Sequence, residues 1–350
     1  MTNVSDFFLG CSSPHGFFGF WKELQGEDGP RLYLIKSGPG CGKSTLMKEL
    51  ARRADGPVQR IHCSSDPDSL DGVYFEKQNA MVLDATAPHA MDPACPGAGE
   101  QVVSLYDTLD APLLQSREEE IRALFARCSR LQAQAARYYG AAGGFLLENQ
   151  RTAACLTDYP KVRAFAQRTA DRYLPKGEGK GKEQVRLLSA LTPKGVLTWR
   201  ESIPALARQV WVLEDEYGTA SRVILDTLRR LALERGHDLI TCRCAAFEGK
   251  IDHLILPGLG LAFVTSNSWH PMAGQKNIHC SRFLSREGMR AQARRMRFVK
   301  KAAADMLAQG AALQAQALDT HNELEVFYRQ AVDFALVEAR GQALARQLGL

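Results

Sequence analysis

Residues 31–50 read RLYLIKSGPGCGKSTLMKEL, and the reading of this stretch decides the fold. Leu32–Ile35 is a short apolar run of strand type. Gly38, Gly40 and Gly42 follow, then Lys43, Ser44 and Thr45, then a helical pattern through Arg53. Strand, glycine-rich loop and helix in this order build an anion site. Glycines let successive backbone N–H groups turn inward, and the helix N-terminus adds the positive end of its dipole. The pattern predicts a cradle over Ser37, Gly38, Pro39, Gly40, Cys41, Gly42, Lys43, Ser44 and Thr45 that would hold a polyphosphate.

The spacing is that of a P-loop, G-x-x-x-x-G-K-[ST], with Ser37 in place of the first glycine. That position sits at the strand exit, where a small residue is tolerated. A chance glycine-rich turn is the plain alternative, and the agreement of strand, loop, Lys-Ser-Thr and helix argues against it. On this reading Lys43 reaches the β- and γ-phosphates of ATP, Ser44 places its hydroxyl on Mg²⁺, and Thr45 lies nearer the α-phosphate. A second strand is expected at 59–63 and a third at 79–86, NAMVLDAT, whose apolar run ends on Asp84. This is the Walker B pattern, so Ser44 and Asp84 are the expected metal ligands and Lys43 and Asp84 the expected catalytic pair. Ala85 follows, where many ATPases carry a glutamate. One strand–helix unit is expected between Lys43 and Asp84. Asp66 and Asp68, in SDPDSLD (65–71), are candidates for a general base. The structural alternative is that Asp66 caps a helix beginning at Pro67. His89 could touch phosphate or order its loop. Cys41 is either a thiol activated by the helix N-terminus or a small residue that fits.

A second stretch, VLEDEYGTASRVIL (212–225), has the same outline without the chemistry. At an offset of 178, Ile35 falls on Leu213, Gly40 on Gly218, Gly42 on Ala220, Lys43 on Ser221 and Ser44 on Arg222. SPHGFF (13–18) matches TPKGVL (192–197). At an offset of 181, IHCSS (61–65) matches CRCAA (242–246), and MVLDATAPH (81–89) matches AFVTSNSWH (262–270), which puts Thr265 at the position of Asp84. VVSLYD (102–107) pairs more loosely with IHCSRF (278–283). The chain therefore reads as two related units, 1–180 with an intact nucleotide site and 181–350 with a degenerate one. KGEGKGKEQ (176–184) is expected to be a flexible joint. Glu214, Asp215 and Glu216 set three carboxylates where a polyphosphate would need attraction. Positions kept in both units, Pro14/Pro193, Gly16/Gly195, Cys63/Cys244, Asp71/Asp252 and His89/His270, suit fold maintenance.

Composition is that of a globular protein. The chain has 350 residues, 45% hydrophobic and 24% charged, with a formal net charge of +5. Nine cysteines without metal spacing read as reduced thiols, and neither a signal peptide nor a membrane span is legible, so a cytoplasmic location is expected. Arg290, Arg294, Arg297 and Lys301 share one helical face within a basic segment, 286–301. That face could supply an arginine finger, a nucleic-acid surface or an anionic membrane contact, but a solvated face is the ordinary fate of such a stripe. Helical sequence at 117–138 and 303–346 is amphipathic and suits a packed helical layer.

SGPGCGKSTLMKEL, HCSSDPDSLD, LDATAPHAMDPACPGA and, in the second half, LTPKGV together resemble a family of bacterial ATPase-like proteins, common in Firmicutes, that carry two P-loop domains in tandem. The resemblance covers nearly the whole chain. It implies nucleotide binding and ATPase activity. In that family the second unit often has its own P-loop, and this chain departs there. The expectation is thus an α/β protein of tandem P-loop units with mainly parallel sheets and helical extensions. The first unit would bind and hydrolyse Mg-ATP and the second would regulate or dock, with self-association or a protein client as partners. A nucleotide or small-metabolite kinase and a nucleotide-gated scaffold are the alternatives. No N-K-x-D element for guanine and no L-S-G-G-Q segment is present.

Overall fold

The computed structural model describes residues 4–25, 29–87, 90–247 and 249–350. The first half contains β1 (Val4–Phe8), β2 (Gly10–Ser13), β3 (Gly16–Gly19), β4 (Arg31–Lys36), α1 (Lys43–Arg53), β5 (Val58–His62), β6 (Leu70–Phe75), β7 (Ala80–Asp84) and β8 (Glu100–Ser104). Helices α2 (Ala111–Ser116), α3 (Glu118–Cys155) and α4 (Tyr159–Tyr173) follow. The second half contains β9 (Glu183–Arg186), β10 (Ser189–Thr192), β11 (Gly195–Thr198), α5 (Ser202–Leu206), β12 (Gln209–Glu214), α6 (Thr219–Glu234), β13 (Leu239–Arg243), β14 (Ile251–Leu256), β15 (Leu261–Ser266) and β16 (Lys276–His279). Helices α7 (Arg286–Ala331) and α8 (Phe334–Leu348) end the chain.

The molecule is a mixed α/β protein. One six-stranded sheet has the order β1-β5-β6-β7-β4-β8, and the other has β9-β13-β14-β15-β12-β16. The order is the same, with each strand of the second sheet eight places later in the chain. Each sheet is parallel except for one strand, β6 or β14. The registers agree as well. Tyr33 faces Val82 in the first sheet and Trp211 faces Phe263 in the second, so Asp84 and Thr265 occupy the same place beside Ile35 and Leu213.

Several expectations are corrected here. Between Lys43 and Asp84 the chain makes an antiparallel strand, β6, instead of a helix. Pro67 begins no helix; Asp66 shapes a turn, accepting from Asp68 N at 3.3 Å and Ser69 Oγ at 2.5 Å. The 176–184 segment is pinned rather than loose, since Gly177 N and Gly181 N donate to Arg235 O and Leu233 O, and Lys182 N to Asp238. Val103 and Ile278 share one register position, which moves the loose pairing of 102 with 278 by one residue. The expected helix at 303–346 is broken at Val332–Asp333.

Apolar alternation explains how the layers close. On β4, Leu32 and Leu34 face inward and share one continuous core with Val210 and Val212 of β12. Tyr33 and Ile35 face outward and are covered by Leu46, Met47 and Leu50 of α1 together with Val337, Leu344 and Leu348 of α8. Leu213 is covered by Ile224, Leu225 and Leu228 of α6 together with Val162, Ala166 and Ala170 of α4. The terminal helices are thus exchanged: α4 covers the second sheet and α8 the first.

The long helices α3 and α7, 38 and 46 residues, make the exchange possible. At 1.5 Å per residue they reach about 57 and 69 Å. They run antiparallel, as Asn149 Nδ2 donates to Met296 O at 2.9 Å and Tyr139 OH to Gln314 Oε1 at 2.6 Å. Their ends are clasped in matching ways: Leu109 bridges Val332, and Thr157 bridges Leu284. Between the halves lies a four-stranded antiparallel sheet, β11-β10-β2-β3, which the sequence did not suggest. Its two hairpin turns are alike. Ser13 and Thr192 each cap a turn onto Gly16 O or Gly195 O at 2.8 Å, and both glycines have positive φ.

Candidate functional site

The first loop lies at the C-terminal edge of the first sheet, where β4 is flanked by β7 and β8. Open α/β sheets bind ligands at this edge. Gly40 and Gly42 take φ of +66° and +80°, which L side chains rarely adopt. The turn they make leads into the N-terminus of α1. The backbone amides of Gly40 through Thr45 have no hydrogen-bond partner among the described residues. A row of amides in this state, at the end of an 11-residue helix, is a donor set for an anion.

The expected polar residues gather around that row. Lys43 Nζ folds back to donate to Gly38 O at 2.6 Å and lies 3.5 Å from Asp84 Oδ2. Ser44 Oγ accepts from Leu70 N at 3.0 Å. Asp84 Oδ1 accepts from Thr86 N at 3.0 Å and Thr86 Oγ1 at 2.5 Å. Ser37 and Cys41 are buried, the latter donating its thiol to Pro39 O at 3.3 Å, while Thr45 is exposed.

The two base candidates are engaged elsewhere. Asp66 holds its turn, and Asp68, 81% exposed, pairs with Lys194 at 3.1 Å. His89 lies outside the described residues. No group of three or more metal-ligating side chains occurs among the described residues. Ser44 and Asp84 alone fit Mg²⁺, which takes one or two protein oxygens and completes its shell with phosphate and water.

The second loop is built on the same frame and filled differently. Asp215, 4% exposed, sends its carboxylate into the turn. Oδ1 accepts from Tyr217 N and Gly218 N at 3.3 and 3.0 Å, and Oδ2 from Ala220 N and Ser221 N at 2.9 and 2.8 Å. The sequence reading treated this carboxylate only as a repelling charge; the structure shows it as the occupant of the amide row. The signal was an acidic residue three places before the glycine that starts a helix. Lys250, also missed, runs beneath the loop. Its Nζ lies 2.9 Å from where a Cβ on Gly218 would stand, and 2.8 Å from Asp252 Oδ1. Burial alone would lower the Lys250 pKa, but the Asp252 carboxylate outweighs it and raises it. Burial likewise pushes Asp252 up, and Lys250 and two histidines pull it below the usual carboxylate range. Burial holds His253 neutral, with its pKa pushed down to about 3.

The neighbouring acids are engaged too: Glu214 pairs with His279, and Glu216 with Lys300 at 2.8 Å. A cavity of about 470 Å³ opens beside them, with Arg286 and Arg290 in its wall. The remaining members of the basic stripe, Arg294, Arg297 and Lys301, are exposed, and Phe298 beside them is 70% exposed.

Each loop is roofed by the other half's helices. Glu325 and Tyr328 of α7 press on the first loop so closely that a Cβ on Gly40 or Gly38 would come within 3.0 or 2.5 Å of them. Phe334 of α8 sits against Gly42. Over the second loop, Thr157 Oγ1 donates to Thr219 Oγ1 at 3.1 Å. The stripe at 290–301 is some 24 residues from Glu325 on one helix, about 36 Å away. An arginine finger from that stripe to the first loop is therefore ruled out in this arrangement. Comparison of the chain with protein-family models, curated proteins and solved structures finds no match.

Proposed function

We propose that this chain is a tandem pair of P-loop units, of the kind carried by the bacterial ATPase-like family it resembles, and that its first loop binds Mg-ATP and hydrolyses it slowly. The observation carrying this reading is the unpartnered amide row at Gly40–Thr45 with Lys43 and Asp84 3.5 Å apart beside it. The amides and the Lys43 ammonium would hold the β- and γ-phosphates. To do so Lys43 leaves Gly38 O, exchanging a neutral acceptor for a charged one. Ser44 and Asp84 would hold Mg²⁺, which when bound neutralises charge on the phosphates. Hydrolysis would proceed by positioning and electrostatics. Ala85 after Asp84, and the engagement of Asp66 and Asp68 in other contacts, leave no carboxylate assigned to activate water, in keeping with slow turnover. The second half would act as a docking or regulatory partner through the α7–α8 roof.

Phosphate release from Mg-ATP by the purified protein, beside Lys43→Ala, tests the reading. Release is expected from the wild type, with at least about a hundredfold loss in the variant. Equal rates in both would overturn the ATPase. The missing water-activating group favours a second reading, a nucleotide-gated scaffold. In that case ATP binds to the wild type and not to Lys43→Ala, with no release from either.

A further inference from the structure

The second loop has kept its amide row and lost its ligand-binding side chains, yet it is not empty. Asp215 reaches four amides spanning Tyr217 to Ser221 with both carboxylate oxygens. Ordinary helix capping does not account for this. A capping side chain belongs to the N-cap residue and bonds the second or third amide of the helix. Here the N-cap is Gly218, with φ of +67°, and Asp215 lies three residues upstream of it. Two oxygens shared among four converging amides is the way a turn of successive N–H groups takes a bound anion. The cation is supplied from outside the loop. Ser221 stands where the first loop has Lys43, and Lys250, 6% exposed, brings its ammonium under Gly218 from the N-terminal approach to β14. Ser221 Oγ and Thr265 Oγ1, at the positions of Lys43 and Asp84, are buried hydroxyls without partners among the described residues. A polar lining therefore remains where the lysine–aspartate pair would stand.

We propose that the loop from Glu214 to Ser221 is an anion site whose ligand is the chain's own Asp215 carboxylate, with Lys250 as the counter-cation, and that inorganic phosphate takes this place once the carboxylate is removed. The second half is thereby held in the shape of an occupied site without any nucleotide. The inference does not need the first loop to bind ATP.

Hydrogen–deuterium exchange of the full chain, read on the peptide covering 214–225, tests it. In the wild type these amides are expected to be protected and indifferent to phosphate. In Asp215→Ala they are expected to exchange at least about tenfold faster in chloride. Phosphate at matched ionic strength should restore most of the protection. Unchanged exchange in Asp215→Ala overturns the proposal, and so does faster exchange that phosphate fails to slow. Should that variant not fold, Asp215→Asn keeps one acceptor and loses the charge. It is expected to open the amides of one carboxylate oxygen, and no opening would overturn the assignment. The peptide over 36–48 is read separately, so the behaviour of the first loop leaves this outcome untouched.

Discussion

The ammonium of Lys250 and the carboxylate of Asp252 lie 2.8 Å apart, with both side chains less than a tenth exposed. A pair this deep gains little over an apolar pair of the same volume, but each member becomes a liability without the other. Lys250→Met is expected to lower stability by about 3–5 kcal/mol, since it strands the Asp252 charge. Lys250→Met with Asp252→Leu should recover the part of that loss due to Asp252, while the Asp215 carboxylate stays without its counter-cation. Urea midpoints of the two variants decide the matter, and equal losses would show that the charges are not coupled. At this scale the sequence was half legible. The nearness of Lys43 to Asp84 was legible because glycine spacing and strand ends constrain where such residues point. The substitution of Thr265 for Asp84 was readable from the offset, and the strand register agrees. Asp215 was misjudged because a letter carries charge but not direction. Whether a carboxylate repels a ligand or replaces it depends on where its oxygens lie.

Among the elements, the seam between α3 and α7 shows how local preference and packing compete. Gly310 sits inside α7, where alanine would favour the helix by about 1 kcal/mol. A Cβ there would lie 2.3 Å from the ring of Tyr139, which is 1% exposed and tied by its hydroxyl to Gln314. The ring has nowhere to move, and overpacking of this kind costs about 1–3 kcal/mol. Gly310→Ala is therefore expected to lower the thermal midpoint in spite of its propensity. A rise would mean that the seam is looser than its contacts imply. Among strands buried on both faces, β4 and β7 were legible because a glycine-rich loop and an aspartate mark their ends, whereas β6 carries no such marker. In β6, LDGVYF, every residue is buried, so no alternation shows, and Gly72 looks like a breaker. Its role is the reverse, for a Cβ there would come within 2.7 Å of Leu83. An apolar helical stripe likewise reveals that α4 and α8 must pack, but not on which sheet.

Taken whole, the molecule holds its halves together by more than the peptide bond between them. α4 completes the second sheet, α8 completes the first, and the four-stranded sheet draws two strands from each half. No described helix is long and apolar enough to cross a membrane. Cleavage at a protease site engineered between Glu178 and Lys180, which are exposed between the pinned Gly177 and Gly181, should leave the two fragments associated. They should comigrate on native size-exclusion chromatography and separate only in denaturant. Fragments that part on their own would show that the exchanged helices contribute little to cohesion.

The exchange also sets an order of events during synthesis. The strands of the first sheet are made well before the helix that covers Tyr33 and Ile35, which spans residues 334–348. The outer face of that sheet stays only partly covered while the intervening chain is translated. Domains that close on their own can fold as they emerge from the ribosome, whereas contacts across such a separation must wait. The nascent first half is then the stage at which this protein is most exposed to chaperones and to aggregation, and the emergence of residues 334–348 is the step that closes it.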